Sequence, residues 1–293
     1  FFMQEGVVLR AYSGYYYVQA AGDIYACKLR GRFKQERFSL MVGDRVRFAA
    51  QPDGTGMVEE ILPRASLLTR PLVANVDQAV LTFAAKNPDI KSILIDRFLV
   101  LAERAHLDII ICINKTDLAE EKELQELITA YRRIGYGVIA AAAARGAGID
   151  RLKELLTGKT TVFAGPSGVG KSTLLNAIQP GFALQTGDVS ERIGRGKHTT
   201  RFAQLLALDG GGYVVDTPGF GSIELTDMTP EQLVRCFPEF NEYGGSCKFS
   251  PCLHWKEPRC GVKEAVNQGL ISEERYAHYT QFLAELFENN RGY

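Results

Sequence analysis

Residues 161 to 179 read TTVFAGPSGVGKSTLLNAI, an apolar run, a glycine-rich turn and a helical segment in immediate succession. The turn from Gly165 to Ser172 satisfies the spacing G-x-x-x-x-G-K-[ST], and its flanking strand and helix are the context that gives the pattern meaning. Such a loop needs an α/β sheet that presents strand ends to a ligand. Its glycines turn backbone N–H groups inward around phosphates, so Gly165, Pro166, Ser167, Gly168, Val169, Gly170, Lys171, Ser172 and Thr173 are the expected phosphate-binding set. Lys171 is expected to reach the β and γ oxygens and Ser172 to ligate Mg²⁺.

Two further motifs belong to the same chemistry. Asp216-Thr-Pro-Gly219 ends the apolar strand GGYVVDTPG, which places Asp216 near Mg²⁺ and the Gly219 amide near a γ-phosphate. Asn114-Lys115-Thr116-Asp117 follows the apolar run DIIICI. A carboxylate such as Asp117 accepts two hydrogen bonds at once from guanine N1–H and the 2-amino group, whereas adenine offers no donor at either place. An unsatisfied buried acceptor costs about 1–3 kcal/mol, and more when charged, so Asp117 selects GTP over ATP. Asn114 and Lys115 brace the neighbouring loop and cover the base. This base-reading motif precedes the phosphate loop in the chain, the reverse of the usual order, so the nucleotide domain is expected to be circularly permuted. A doubly wound sheet tolerates this, because its loops gather at one edge whatever the chain order.

A chain of 293 residues exceeds one typical domain of roughly 100–150 residues. Residues 1–68 carry short Val-, Tyr- and Phe-rich strands punctuated by Gly and Asp, which predicts a small all-β antiparallel barrel. Residues 72–225 alternate apolar strands with amphipathic helices, which predicts a parallel α/β sheet. Residues 226–293 predict a small, mostly helical domain ending in a helix from about Ser272 to Asn289. The apolar run from Ile109 to Ile113 is far short of the ~20 residues of a membrane span. The N-terminus lacks a basic-then-apolar signal pattern, so a cytoplasmic protein without membrane association is expected. Net charge is zero, and any nucleic-acid contact must come from local basic patches.

Cys247, Cys252, His254 and Cys260 lie close in sequence and supply three thiolates and one imidazole, the set a structural Zn²⁺ prefers. Four protein ligands leave no open position, so this site is a folding staple and not a catalytic centre. Cys27, Cys112 and Cys236 are scattered, and His106 and His278 are expected on helices without special duty. Lys28, Arg30, Arg32, Lys34 and Arg37 interleave with Phe33 and Phe38, which suits either phosphate contacts with base stacking or a solvated hairpin. Arg192, Arg195, Lys197 and Arg201 form a second basic group in a polar, glycine-rich loop. In that loop either Thr199 or Thr200 can close on Mg²⁺, and the expected Mg²⁺ set is Ser172, Thr200 and Asp216.

With this motif order, a barrel before and a Cys/His cluster after, nearly the whole chain resembles the RsgA family of ribosome small subunit-dependent GTPases, also called YjeQ or YloQ. The resemblance implies an N-terminal OB-fold that binds RNA, a circularly permuted GTPase domain and a C-terminal zinc domain. It further implies a monomer acting late in 30S subunit maturation, with slow GTP hydrolysis stimulated by the small subunit and contact with its rRNA. The family's Ser-Ala loop behind guanine falls on Ala142 and Ala143, which lack the hydroxyl; an alanine run is equally simple helix or strand filler. Phe220 stands where Ras-like GTPases place the glutamine that orients water, and the resemblance together with chemistry points to His198 instead. Two other classes are weighed. A P-loop kinase or ATPase is opposed by Asn114 to Asp117, and a non-enzymatic RNA-binding protein by the intact Lys171, Ser172 and Asp216.

Overall fold

The structure is a computed structural model, and it describes residues 2–30, 40–69, 71–182, 203–216, 224–225 and 228–289. Five strands open the chain: β1 (Phe2–Tyr12), β2 (Tyr15–Ala20), β3 (Asp23–Leu29), β4 (Arg45–Ala50) and β5 (Thr55–Ile61). They close as a barrel in the order β1-β2-β3-β5-β4. Alternation turns Val8, Val18, Cys27, Val46, Phe48 and Val58 inward, each fully buried. The expectation of an antiparallel barrel is corrected in one place, because β3 and β5 pair in parallel. The chain crosses the barrel through β4 before β5 returns beside β3, and a pairing made by such a crossing has no hairpin signature in sequence.

A short hairpin, β6 (Leu67–Thr69) and β7 (Leu72–Ala74), leads to the second unit. There β8 (Gln78–Ala84), α1 (Ser92–Arg104), β9 (Asp108–Asn114), α2 (Glu121–Ile134), β10 (Gly137–Ala140), α3 (Ile149–Leu156), β11 (Thr160–Ala164) and α4 (Lys171–Ile178) alternate. After these come β12 (Gln204–Ala207) and β13 (Tyr213–Asp216). The sheet order is β10-β9-β8-β11-β13-β12, parallel except for the β12–β13 pair. Every residue of β8 is buried, as a central strand covered on both faces requires. One face packs on Ile95, Phe98 and Leu99 of α1 and Ile128 and Tyr131 of α2. The other packs on Leu152 and Leu156 of α3 and Leu174 and Ile178 of α4. The chain runs outward from β8 through β9 to β10, then returns to β11 on β8's other side. That reversal puts the topological switch point between β8 and β11.

The barrel is seated on this sheet: β1 packs beside β12, and Leu9 and Val42 share a core with Leu205 and Val73. Asp44, fully buried, takes both Nε and Nη2 of Arg64, at 2.6 and 2.8 Å, which fixes the barrel to the linker. The last unit holds α5 (Pro230–Arg235), the short α6 (Asn241–Gly244), α7 (Gly261–Asn267) and α8 (Glu273–Asn289). Ser272 caps α8, its Oγ accepting from the Arg275 amide at 3.3 Å.

The unit packs on α1 through Phe237, Tyr279 and Phe282, with Val100 in the same core. Across that seam Arg275 donates to Asp96 at 2.6 Å, while within its own unit it donates to Glu239, and Tyr131 of α2 donates to the same Asp96 oxygen at 2.9 Å. His278 meets the other Asp96 oxygen at 2.6 Å. His278 lies on a helix, α8, as expected, but it belongs to a polar network there, and His106 is not on a helix, lying just past α1 at φ 54°. No helix among the described residues is long and apolar enough to cross a membrane.

Candidate functional site

Parallel register brings the motifs to one sheet edge. Ala84 pairs with Asn114, Ala140 with Ile113 and Ala164 with Leu81, so the loops after β8, β9, β10 and β11 all leave from the carboxyl end. Asp216 closes β13 at the same end, with Val215 beside Val162. The glycine-rich turn lies against this edge with little room. Gly165 has φ 148°, and a Cβ built there would sit 2.0 Å from the Thr82 carbonyl oxygen. Gly170, at φ 94°, would place one 2.4 Å from Asn114 Nδ2. Both positions need glycine for backbone freedom and for close approach.

Asn114, 2% exposed, is the tie between the two halves. Its Nδ2 donates to the Val169 carbonyl at 2.9 Å, 55 positions along the chain, and its Oδ1 accepts from the Ala143 amide at 3.1 Å. Lys115, in the left-handed region at φ 58°, sends Nζ to the carbonyls of Asn87 and Gly168, the latter at 2.7 Å. Thr116 holds the next loop, its amide and hydroxyl both donating to Ala141 O, at 3.2 and 3.0 Å. Asp117 follows in a single 3-10 turn, its carboxylate 3.1 Å from Arg145 Nε. Thus Asn114 to Asp117, Ala142 to Arg145 and the phosphate loop form one continuous rim.

Lys171 Nζ donates to the carbonyls of Gly165 and Pro166, both at 2.8 Å, and spans its own loop. Burial lowers its pKa from the ordinary lysine value. Ser172 and Thr173 open α4 beside it. Asp216 Oδ2 accepts from Gln204 Nε2 at 2.7 Å across the β12–β13 pair, a partner the sequence reading missed. The Ala143 amide, expected near the base, is engaged by Asn114. Gly219, Phe220, His198, Thr199, Thr200, Arg192, Arg195, Lys197 and Arg201 lie outside the described residues, as do Arg32, Phe33, Lys34, Arg37 and Phe38.

These features match known proteins along the chain. The RsgA GTPase family model matches residues 61–226, and the RsgA N-terminal domain model matches residues 5–58. The chain belongs to the RsgA GTPase family. Among curated RsgA proteins, the small ribosomal subunit biogenesis GTPase of Moorella thermoacetica is 46% identical over 289 residues, covering 99% of each chain. That of Geobacillus kaustophilus is 46% identical, covering 99% of this chain and 100% of its own. Two solved structures are similar in fold. YjeQ from Thermotoga maritima has a TM-score of 0.87 at 43% identity, covering 98% of this chain and 99% of its own. YloQ, described as a circularly permuted GTPase, has 0.85 at 40% identity, covering 98% and 96%. As an RsgA GTPase the chain hydrolyses GTP, and it shares the permuted order described for YloQ.

A second centre lies in the last unit. Ligand atoms of Cys247, Cys252, His254 and Cys260 all fall within 4.8 Å of one another and can hold a metal ion. The two sulfur atoms of Cys247 and Cys260 are 3.8 Å apart, and His254 Nδ1 is 3.5 and 3.3 Å from them. The loop is held from outside. Glu257 accepts from the Leu253 and Trp255 amides, both at 2.9 Å, and Tyr276 donates to His254 O at 2.7 Å. The Gly261 amide donates to Cys247 Sγ at 3.3 Å.

Proposed function

We propose that this chain is a late-acting biogenesis factor of the 30S ribosomal subunit whose slow GTP hydrolysis is stimulated by that subunit. The observation that carries the nucleotide half is the Asn114 tie to Val169 and Ala143, which makes base-reading and phosphate-binding loops a single site. The ribosomal half is supported by full-length relatives named as small ribosomal subunit biogenesis GTPases. The units we assign are an RNA-binding OB-fold over 1–68, the permuted GTPase over 72–225 and a zinc domain over 226–293.

Asp117 reads guanine N1–H and the 2-amino group, while Asn114, Lys115 and Thr116 hold the base loop and Ala142 and Ala143 back it. The amides of residues 165–173 cradle the phosphates, with Lys171 between the β and γ oxygens. Ser172, Asp216 and Thr200 are the residues that would hold Mg²⁺, which supplies charge neutralisation on the β and γ oxygens when bound. Water attacks the γ-phosphorus as the bond to the bridging β–γ oxygen breaks, giving GDP and phosphate. His198 positions that water, and Gly219 senses the γ-phosphate.

Zn²⁺ fits the Cys247, Cys252, His254 and Cys260 set. Thiolate arms of ~2.3 Å at tetrahedral angles put sulfur atoms ~3.8 Å apart, the separation Cys247 and Cys260 show. On the barrel, Arg10 lies 4.4 Å over the Tyr17 ring and Lys28 lies 4.9 Å over Tyr15, a paired cationic and aromatic surface suited to rRNA. The protein is read as a cytoplasmic monomer.

Steady-state GTP hydrolysis by the chain alone, with small subunits and with large subunits tests this reading. Selective acceleration by small subunits is expected. Equal rates in all three would refute it.

A further inference from the structure

The base-reading loop contains a contact that the nucleotide motifs do not specify. Asp117 and Arg145 form an ion pair, Nε to Oδ2 at 3.1 Å, between two loops already fastened twice, by Thr116 to Ala141 and by Asn114 to Ala143. Arg145 is not on a wandering tail. It ends a 3-10 turn, its amide donates to Ala142 O at 2.9 Å, and Ala142 and Ala147 bridge across the turn. Gly146 and Gly148, at φ 74° and 77°, close it tightly. Backbone geometry therefore fixes where the guanidinium begins, and Asp117 is what it reaches.

Alanine at 142 and 143 leaves this loop with no side-chain hydroxyl there to hold the Asp117 carboxylate. An ionised carboxylate has about four acceptor sites, of which guanine uses two. A third partner can then stay in place while the base is bound. Asp117 has 19% of its side chain exposed, and a base laid over it removes more water, so a cation at its outer oxygen offsets that desolvation. We propose that Arg145 is a positioning residue for guanine recognition, holding the Asp117 carboxylate in the plane that receives N1–H and the 2-amino group. The inference rests on the guanine reading of Asp117 given above. Arg145 itself has 69% of its side chain exposed, so the effect is modest and depends on salt.

The test is calorimetric titration of the full chain and its Arg145→Ala variant with GDP, IDP and ADP in the presence of Mg²⁺. IDP lacks the 2-amino group, and ADP reports the phosphate loop alone. The variant should bind GDP about 1.5- to fivefold more weakly and ADP unchanged, with a smaller GDP-to-IDP ratio. Raising KCl should shrink that ratio in the wild type toward the variant's value, because the phosphate contribution cancels in it. An unchanged GDP-to-IDP ratio would make Arg145 a solvated surface group and overturn the proposal. Tighter GDP binding by the variant would also overturn it, making Arg145 a competitor for Asp117. If the wild type fails to prefer GDP over ADP, the guanine reading itself falls and this inference with it.

Discussion

Replacing Asn114 by alanine removes a buried side chain that, with Lys115, ties the base-reading loop to the phosphate loop. The deleted carboxamide makes two hydrogen bonds in a region 2% exposed, to Val169 O and from the Ala143 amide. Truncation strands a buried carbonyl and a buried amide, at about 1–3 kcal/mol each. Partial relaxation lets us expect a loss of about 2–5 kcal/mol for the GTPase unit, or about 5–15 °C in its melting temperature. GDP affinity should fall together with stability, since the loops that define the site come apart. Urea unfolding gives the free energy, and native-state hydrogen exchange reads the Ala143 amide directly. Asn114→Asp is the informative companion. It keeps an acceptor for Ala143 but sets a negative charge against the Val169 carbonyl, so it should be no more stable than the alanine variant. A loss below about 1 kcal/mol with unchanged Ala143 protection would refute the strut argument.

Three other outcomes follow from the same structure. Chelation should lower the melting temperature of the C-terminal unit and render Cys247, Cys252 and Cys260 reactive toward a thiol reagent, with stability restored by Zn²⁺; an unchanged melt would remove the staple role. Arg275→Leu should cost about 3–5 kcal/mol, because Arg275 and Asp96 are 5% and 1% exposed and Glu239 is left without its cation; a urea midpoint within error of wild type would contradict this. Burial lowers the Lys171 pKa in the free protein and bound phosphate raises it, so GDP binding takes up a proton in between. Affinity should hold below the free-state pKa and fall as pH rises through that interval. In Lys171→Arg, whose guanidinium does not titrate, only loss of the guanine N1 proton should remain.

The readable parts of this chain were those with local periodicity or fixed spacing. The phosphate loop announced itself because strand, glycine turn and helix are contiguous, and the inverted order of Asn114 and Gly165 sufficed for the permuted sheet. The Cys247 to Cys260 cluster likewise sits within one short segment. What escaped was made by distant partners. Arg275 and Asp96 are 179 positions apart, and nothing near either residue marks it for burial. Gln204 looks like any strand glutamine until β12 turns back along β13 and its carboxamide meets Asp216. The Asp117–Arg145 pair is made by the 3-10 turn that carries Arg145 to the base-reading loop, and no spacing motif marks it. The parallel β3–β5 pair was hidden for the same reason, since strand polarity there is decided by the path of the chain and not by the residues of either strand.

The central claim is that a base-reading loop and a phosphate loop, in inverted chain order, work as one GTPase centre. The most direct test compares kcat/KM for GTP and ATP in the wild type and in Asp117→Ala. The account predicts a strong preference for GTP that collapses in the variant while residual ATP turnover is unaffected. A wild type indifferent to the base, or a preference that survives loss of the Asp117 carboxylate, would contradict it.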